Sequence, residues 1–87
     1  MNKFIYKINK TITGRAASQL VWDLNTIEGE VRIINTEGRM INGKSLIGLL
    51  SACIKEDDIV TIIIDSNSVE EDIKKGLNKI GKYIGGE

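Results

Sequence analysis

The chain has 87 residues, with twelve Lys and Arg against twelve Asp and Glu, 41% hydrophobic and 28% charged. That length and composition describe one globular domain, residues 1–87, which removes roughly 60–65% of its unfolded surface from water on folding. Formal neutrality, scattered basic residues and only four aromatic side chains exclude nucleic acid and anionic membrane as expected partners. There is no histidine, no proline and one cysteine. Catalytic triads, His-ligated metals and phosphohistidine chemistry are thereby excluded. Cys53 with carboxylates is a poor zinc set, so neither metal nor cofactor is expected. A lone cysteine forms no internal disulfide and makes the cytoplasm the expected compartment. No apolar run reaches the ~20 residues of a membrane span, and the first residues do not read as a signal peptide.

Lys3–Asn9 alternates, with Phe4, Tyr6 and Ile8 on one face, as a half-buried strand does. Ala17, Leu20, Val21 and Leu24 then fall at i, i+3, i+4 and i+7, the stripe of an amphipathic helix of about three turns. Thr13 is its expected N-cap, with the hydroxyl accepting from a first-turn amide. Gly29 is placed to stop that helix in a left-handed conformation. Glu30–Thr36 and Arg39–Asn42 flank Glu37-Gly38 and predict an antiparallel hairpin. Ser45 opens a short apolar helix, SLIGLLSACI, as its N-cap. Asp58–Asp65, rich in β-branched residues, predicts a strand with Val60, Ile62 and Ile64 on one face. Ser66, Asn67 and Ser68 are expected to cap a last helix whose stripe is Val69, Ile73, Leu77, Ile80 and Ile84. The order β-α-β-β-α-β-α predicts an α+β open-faced sandwich, a sheet covered on one face by three helices.

Two features invite other readings. Gly38–Ser45, GRMINGKS, satisfies G-x-x-x-x-G-K-[ST]. A phosphate-binding loop must wrap as backbone round its ligand, however, and Arg39–Asn42 reads as a hairpin arm; 87 residues also cannot supply the βαβ crossovers of a nucleotide-binding sheet. Cys53 ends an apolar run and is expected as a small core residue rather than a redox centre.

The active-site segment of one family runs Gly-Leu-His-Ala-Arg-Pro-Ala-Ala, and this chain has Thr11-Ile12-Thr13-Gly14-Arg15-Ala16-Ala17-Ser18, then Gln19 and Leu20. Arg15, Ala17, Gln19 and Leu20 match. A second signature, Lys-Ser-[Ile/Leu]-x-Gly-[Leu/Val]-[Met/Leu]-Ser, matches Lys44–Ser51, KSLIGLLS, almost without a break. On these segments the chain resembles the HPr family, the histidine-containing phosphocarriers of the bacterial phosphoenolpyruvate-dependent sugar phosphotransferase system. The resemblance implies four antiparallel strands, with the first beside the fourth and the second between the fourth and the third.

The departures from the family fall on its chemistry. Thr13 occupies the histidine's position and Ala16 the proline's. A threonine phosphate is a stable ester, and its hydroxyl is a weak nucleophile without a base beside it. No phosphate relay and no enzymatic activity are therefore expected. Thr13, Gly14, Arg15 and Ala16 could still form an anion pocket at a helix N-terminus. The absent histidine favours the plainer reading, Thr13 as a cap and Arg15 as a solvated charge. In the family's Gram-positive members the serine matching Ser45 is phosphorylated by an ATP-dependent kinase, and the product signals to a transcriptional regulator. Catabolite-repression HPr-like proteins lack the histidine and keep this serine, with Gln where Thr13 stands here. Ser45 is therefore either a regulatory phosphorylation site or simply a helix cap. Leu46, Ile47 and Leu50 cannot all point inward from so short a helix, and the resemblance assigns such residues to partner docking. Arg15 and Trp22 lie on a stripe of the first helix apart from its core face and would join that surface, unless Trp22 packs on its own neighbours. The expectation is a regulatory or docking protein of the phosphotransferase system, with a serine kinase and a transcriptional regulator as protein partners. The alternative is an interaction module that keeps the fold without that role.

Overall fold

The computed structural model describes residues 2–86. Its elements are β1 (Asn2–Ile8), α1 (Gly14–Leu24), β2 (Glu30–Ile34), β3 (Met40–Asn42), α2 (Leu46–Ser51), β4 (Ile59–Asp65), α3 (Glu70–Asn78) and β5 (Ile84–Gly86). The sheet order is β3-β2-β4-β1-β5 and every pairing is antiparallel. The four expected strands and three helices are present in the expected arrangement. The three-residue β5, paired with the end of β1, is an addition.

Strand alternation explains why one face of the sheet is covered. Val31, Ile33, Ile41, Val60, Ile62, Ile64 and Ile8 point to the same side and are buried there. The helices close that side with Ala17, Leu20 and Leu24 from α1, Leu49 from α2, and Ile73 and Leu77 from α3. Burying each such Leu or Ile contributes about 1.5–3 kcal/mol. β4 is the central strand, and Val60, Ile62 and Ile64 are each at most 1% exposed.

Gly29 precedes β2 at φ +94°, and a Cβ there would stand 2.2 Å from the Asp65 carbonyl oxygen at the end of β4. Only glycine combines that torsion with that approach. The hairpin of β2 and β3 turns over residues 35–39, with Gly38 at φ +80°. Buried Asn35 organises the turn: its Oδ1 accepts from the Glu37 and Arg39 amides, and its Nδ2 donates to the Ala52 carbonyl at 3.4 Å. The hairpin is thereby tied to the end of α2.

Three expectations about the C-terminal half are corrected. Val69 is the N-cap residue of α3, without a side-chain cap bond, and is 63% exposed rather than part of the buried stripe. Ser66 instead accepts from the Ser68 amide, and the Ser68 hydroxyl donates to Glu28. Ile84 lies in β5, because the helix stops at Asn78 and the Tyr83 and Ile84 amides turn back onto the Ile80 carbonyl. Cys53 is exposed at φ +51°, just past the C-cap residue Ala52 of α2, and is not a core residue.

Candidate functional site

The first site segment is the loop from β1 into α1. Ile12 is buried, its amide donating to the Ile54 carbonyl, and the Thr11 hydroxyl accepts from the Glu56 amide. These two bonds fix the start of α1 against the loop before β4. Thr13 follows in extended conformation, its carbonyl accepting from the Ala17 amide at 2.6 Å. Its hydroxyl makes no cap bond, contrary to expectation, and the residue is exposed. The amides of Gly14, Arg15 and Ala16 precede the first intrahelical bond and have no partner in the helix.

Thr13, Arg15 and Ala16 line a cleft of about 450 Å³ together with Lys10, Thr11, Gln19, Lys82 and Tyr83; Gly14 is not part of the lining. Lys10 and Lys82 lie over the buried Tyr83 ring, 5.9 and 5.3 Å from its centroid. No ion pair is made by Lys10, Arg15 or Lys82 among the described residues, so the cleft is electropositive. Neither lysine was legible as part of a site, since 71 positions separate them and only the β1–β5 pairing brings their loops together.

The second segment is the entry to α2. Ser45 is its N-cap residue, half-buried, with its Oγ accepting from the Gly48 amide at 3.1 Å. Gly48 lies so close to β3 that a Cβ would stand 2.9 Å from Ile41 Cγ2, which seats the first turn of α2 on the hairpin. Lys44 does not face Ser45. Its Nζ donates to the Ile27 and Gly29 carbonyls at 2.5 and 2.7 Å, closing the α1–β2 loop. With β3 occupying residues 40–42 and Lys44 so engaged, Gly38–Ser45 is a hairpin arm and turn, not a phosphate-binding loop.

On the surface of α2, Leu46, Ile47 and Leu50 are 39, 80 and 43% exposed, and Trp22 on α1 is 74% exposed. Trp22 borders an apolar cleft of about 430 Å³ with Ser18, Val21, Asn25 and Thr26. It does not pack into the core. The two helices contact each other, so both sets of exposed apolar residues belong to the helical side of the molecule. Arg15 is exposed at the opposite end of α1 from Trp22. No group of three or more metal-ligating side chains forms among the described residues, and no helix there is long and apolar enough to cross a membrane.

An antiparallel open-faced sandwich with its candidate anion cleft at the start of α1 and a serine capping α2 defines a phosphocarrier-like domain. The family described as "PTS HPr component phosphorylation site" matches residues 3–83, and the chain belongs to that family. It is 29% identical over 65 residues to the HPr-like protein Crh of Halalkalibacterium halodurans, covering 75% of this chain and 76% of that one. Among solved structures it is similar to the histidine-containing phosphocarrier protein of Mycoplasma, with a TM-score of 0.82, 25% identity and coverage of 98% and 100%. The phosphocarrier protein HPr of Bacillus anthracis shares the fold at a TM-score of 0.79 and 20% identity, with coverage of 97% and 96%. The chain is thus an HPr-like protein of the phosphotransferase-system family.

Proposed function

We propose that this chain is a cytoplasmic regulatory and docking protein of the sugar phosphotransferase system, not an enzyme and not a histidine relay, switched by phosphorylation at Ser45. The observation that carries the reading is the position of Ser45: at the mouth of α2, within KSLIGLLS, followed directly by exposed Leu46 and Ile47. A dianionic phosphate at a helix N-cap is favoured by the helix dipole and by free first-turn amides. It would also compete for the Lys44 ammonium now held by the Ile27 and Gly29 carbonyls. Phosphorylation would thereby change both charge and loop closure beside the apolar surface. Leu46, Ile47, Leu50, Trp22 and Arg15 are the proposed docking residues, with a serine kinase and a transcriptional regulator as partners. Thr13, Gly14, Arg15 and Ala16 are proposed to retain an anion site, supported by the adjoining cleft, whose cations make no ion pair among the described residues.

The test is incubation with ATP and the family's serine kinase, then separately with phosphoenolpyruvate and the first relay enzyme. Phosphate is expected on Ser45 alone, and Ser45→Ala should remain unmodified. No phosphate in either assay would favour a bare interaction module. Phosphate passed onward from any residue would overturn the argument about Thr13.

A further inference from the structure

The anion site proposed above uses only the α1 side of its cleft. The other side is built by Lys10, which follows β1, and by Lys82 and Tyr83, which precede β5. The Asn9 amide donates to the Tyr83 carbonyl at 2.7 Å and ties these two segments together. Both ammonium groups lie over the Tyr83 ring, whose π face attracts each of them. Two like charges are thereby held over one ring, and Arg15 brings a third cation to the same concavity. No carboxylate lines it, and none of the three makes an ion pair among the described residues. Tyr83 is 6% exposed, yet its hydroxyl makes no hydrogen bond among the described residues and is not sealed from solvent. A phenol buried to that degree ordinarily has a partner, so the cleft holds an unused donor beside its unmatched charge.

We propose that the cleft binds a small phosphorylated carboxylic acid, with its phosphate at the start of α1 beside Arg15 and its carboxylate at Lys10, Lys82 and the Tyr83 hydroxyl. The ligand class rests on the anion-site reading and extends it. Charge sets the class. A phosphate monoester carries about 1.5–2 negative charges at neutral pH, which leaves one of three cations unmatched. One carboxylate, ionised far above its ordinary pKa of about 4, supplies the missing charge. Size agrees: a cleft of about 450 Å³ falls within the ~300–1,000 Å³ of small-molecule sites and is far more than inorganic phosphate fills.

Other phosphorylated ligands fit less well. The one aromatic ring of the lining is already faced by two ammonium groups, so it offers no platform on which a nucleotide base could stack. A phosphopeptide would need apolar anchors for the residues flanking its phosphate, and the lining has no large exposed apolar side chain.

The whole chain is titrated by amide NMR at about 20 mM salt, where screening is weak, with each probe taken to about 10 mM. The probes are inorganic phosphate, glycerol 3-phosphate and 3-phosphoglycerate; the last two differ only by a carboxylate in place of a hydroxymethyl group. Amides of residues 10–16 and 82–83 should move, and 3-phosphoglycerate should bind about tenfold more tightly than glycerol 3-phosphate, the effect of one added charge-assisted contact. Lys82→Gln, at an exposed position, should abolish that preference, and Tyr83→Phe, which keeps the ring, should reduce it. Arg15→Gln should weaken all three probes, whereas Lys3→Gln, outside the cleft, should leave the preference intact. Equal affinity for the two esters would overturn the proposal while the anion site stands. No shift with any of the three probes would end both. Shifts centred on α2, a preference that survives Lys82→Gln, or tighter binding of a glutamate-rich phosphoserine peptide would each overturn it as well. None of these outcomes bears on whether Ser45 is phosphorylated.

Discussion

Lys44 illustrates how one side chain can have a role its neighbours in sequence do not reveal. Beside Ser45 it reads as a cation waiting for a phosphate, yet its ammonium is committed to two backbone carbonyls of the α1–β2 loop. Hydrogen bonds from a charged donor to partly buried carbonyls contribute about 1.5–3 kcal/mol. Lys44→Met, which keeps the aliphatic stem, should therefore lower the unfolding free energy by about that amount. A urea titration checks this, and an unchanged midpoint would mean that water replaces the ammonium without cost. Ser45 itself was legible as a cap because its chemistry and its position before an apolar run coincide. Thr13 was not, since the same kind of position there leaves the hydroxyl without a cap bond. Cys53 misled for a related reason: an apolar run tells nothing of where its last residue adopts a left-handed torsion.

At the scale of elements, the first four strands and the first two helices were legible because period-two and period-3.6 patterns are unmixed there. The last helix was harder. Ile84 lies four positions after Ile80 and continues the helical spacing by coincidence, while the chain has already turned into β5. Val69 likewise fits the period but sits ahead of the first turn, in solvent. By helix propensity alone, Gly76 weakens α3. In the fold a Cβ there would come 2.4 Å from Ile27 Cγ1, so the missing side chain is what lets α3 approach the loop after α1. Gly76→Ala should therefore destabilise the protein by about 1–3 kcal/mol through overpacking, despite alanine's better helix propensity. Thermal unfolding of the variant decides between the two effects by the sign of the change.

For the molecule as a whole, formal neutrality leaves few long-range charge effects on stability. Tyr6 adds a local one, from burial, at high pH. Burial under the helices raises its phenol above the usual value of 10.0. The folded state disfavours the phenolate, so this contribution is fully present below about pH 10 and is lost as pH rises through the raised value. Tyr6→Phe cannot ionise, and its urea midpoint should fall less than the parent's between about pH 9.5 and 11.5.

The sheet order has a consequence for the time course of folding. Both neighbours of β1, β4 and β5, come from the last third of the sequence. On a ribosome, the strand made first must wait, unpaired, until nearly everything after it has emerged. The β2–β3 hairpin, joined by five residues, can close long before. An N-terminal fragment ending before Ile59 would leave Phe4, Tyr6 and Ile8 with no strand on either side. The cleft lined by Lys10, Thr13 and Lys82 hangs directly from the end of that strand, so this surface is among the last parts of the molecule to take shape.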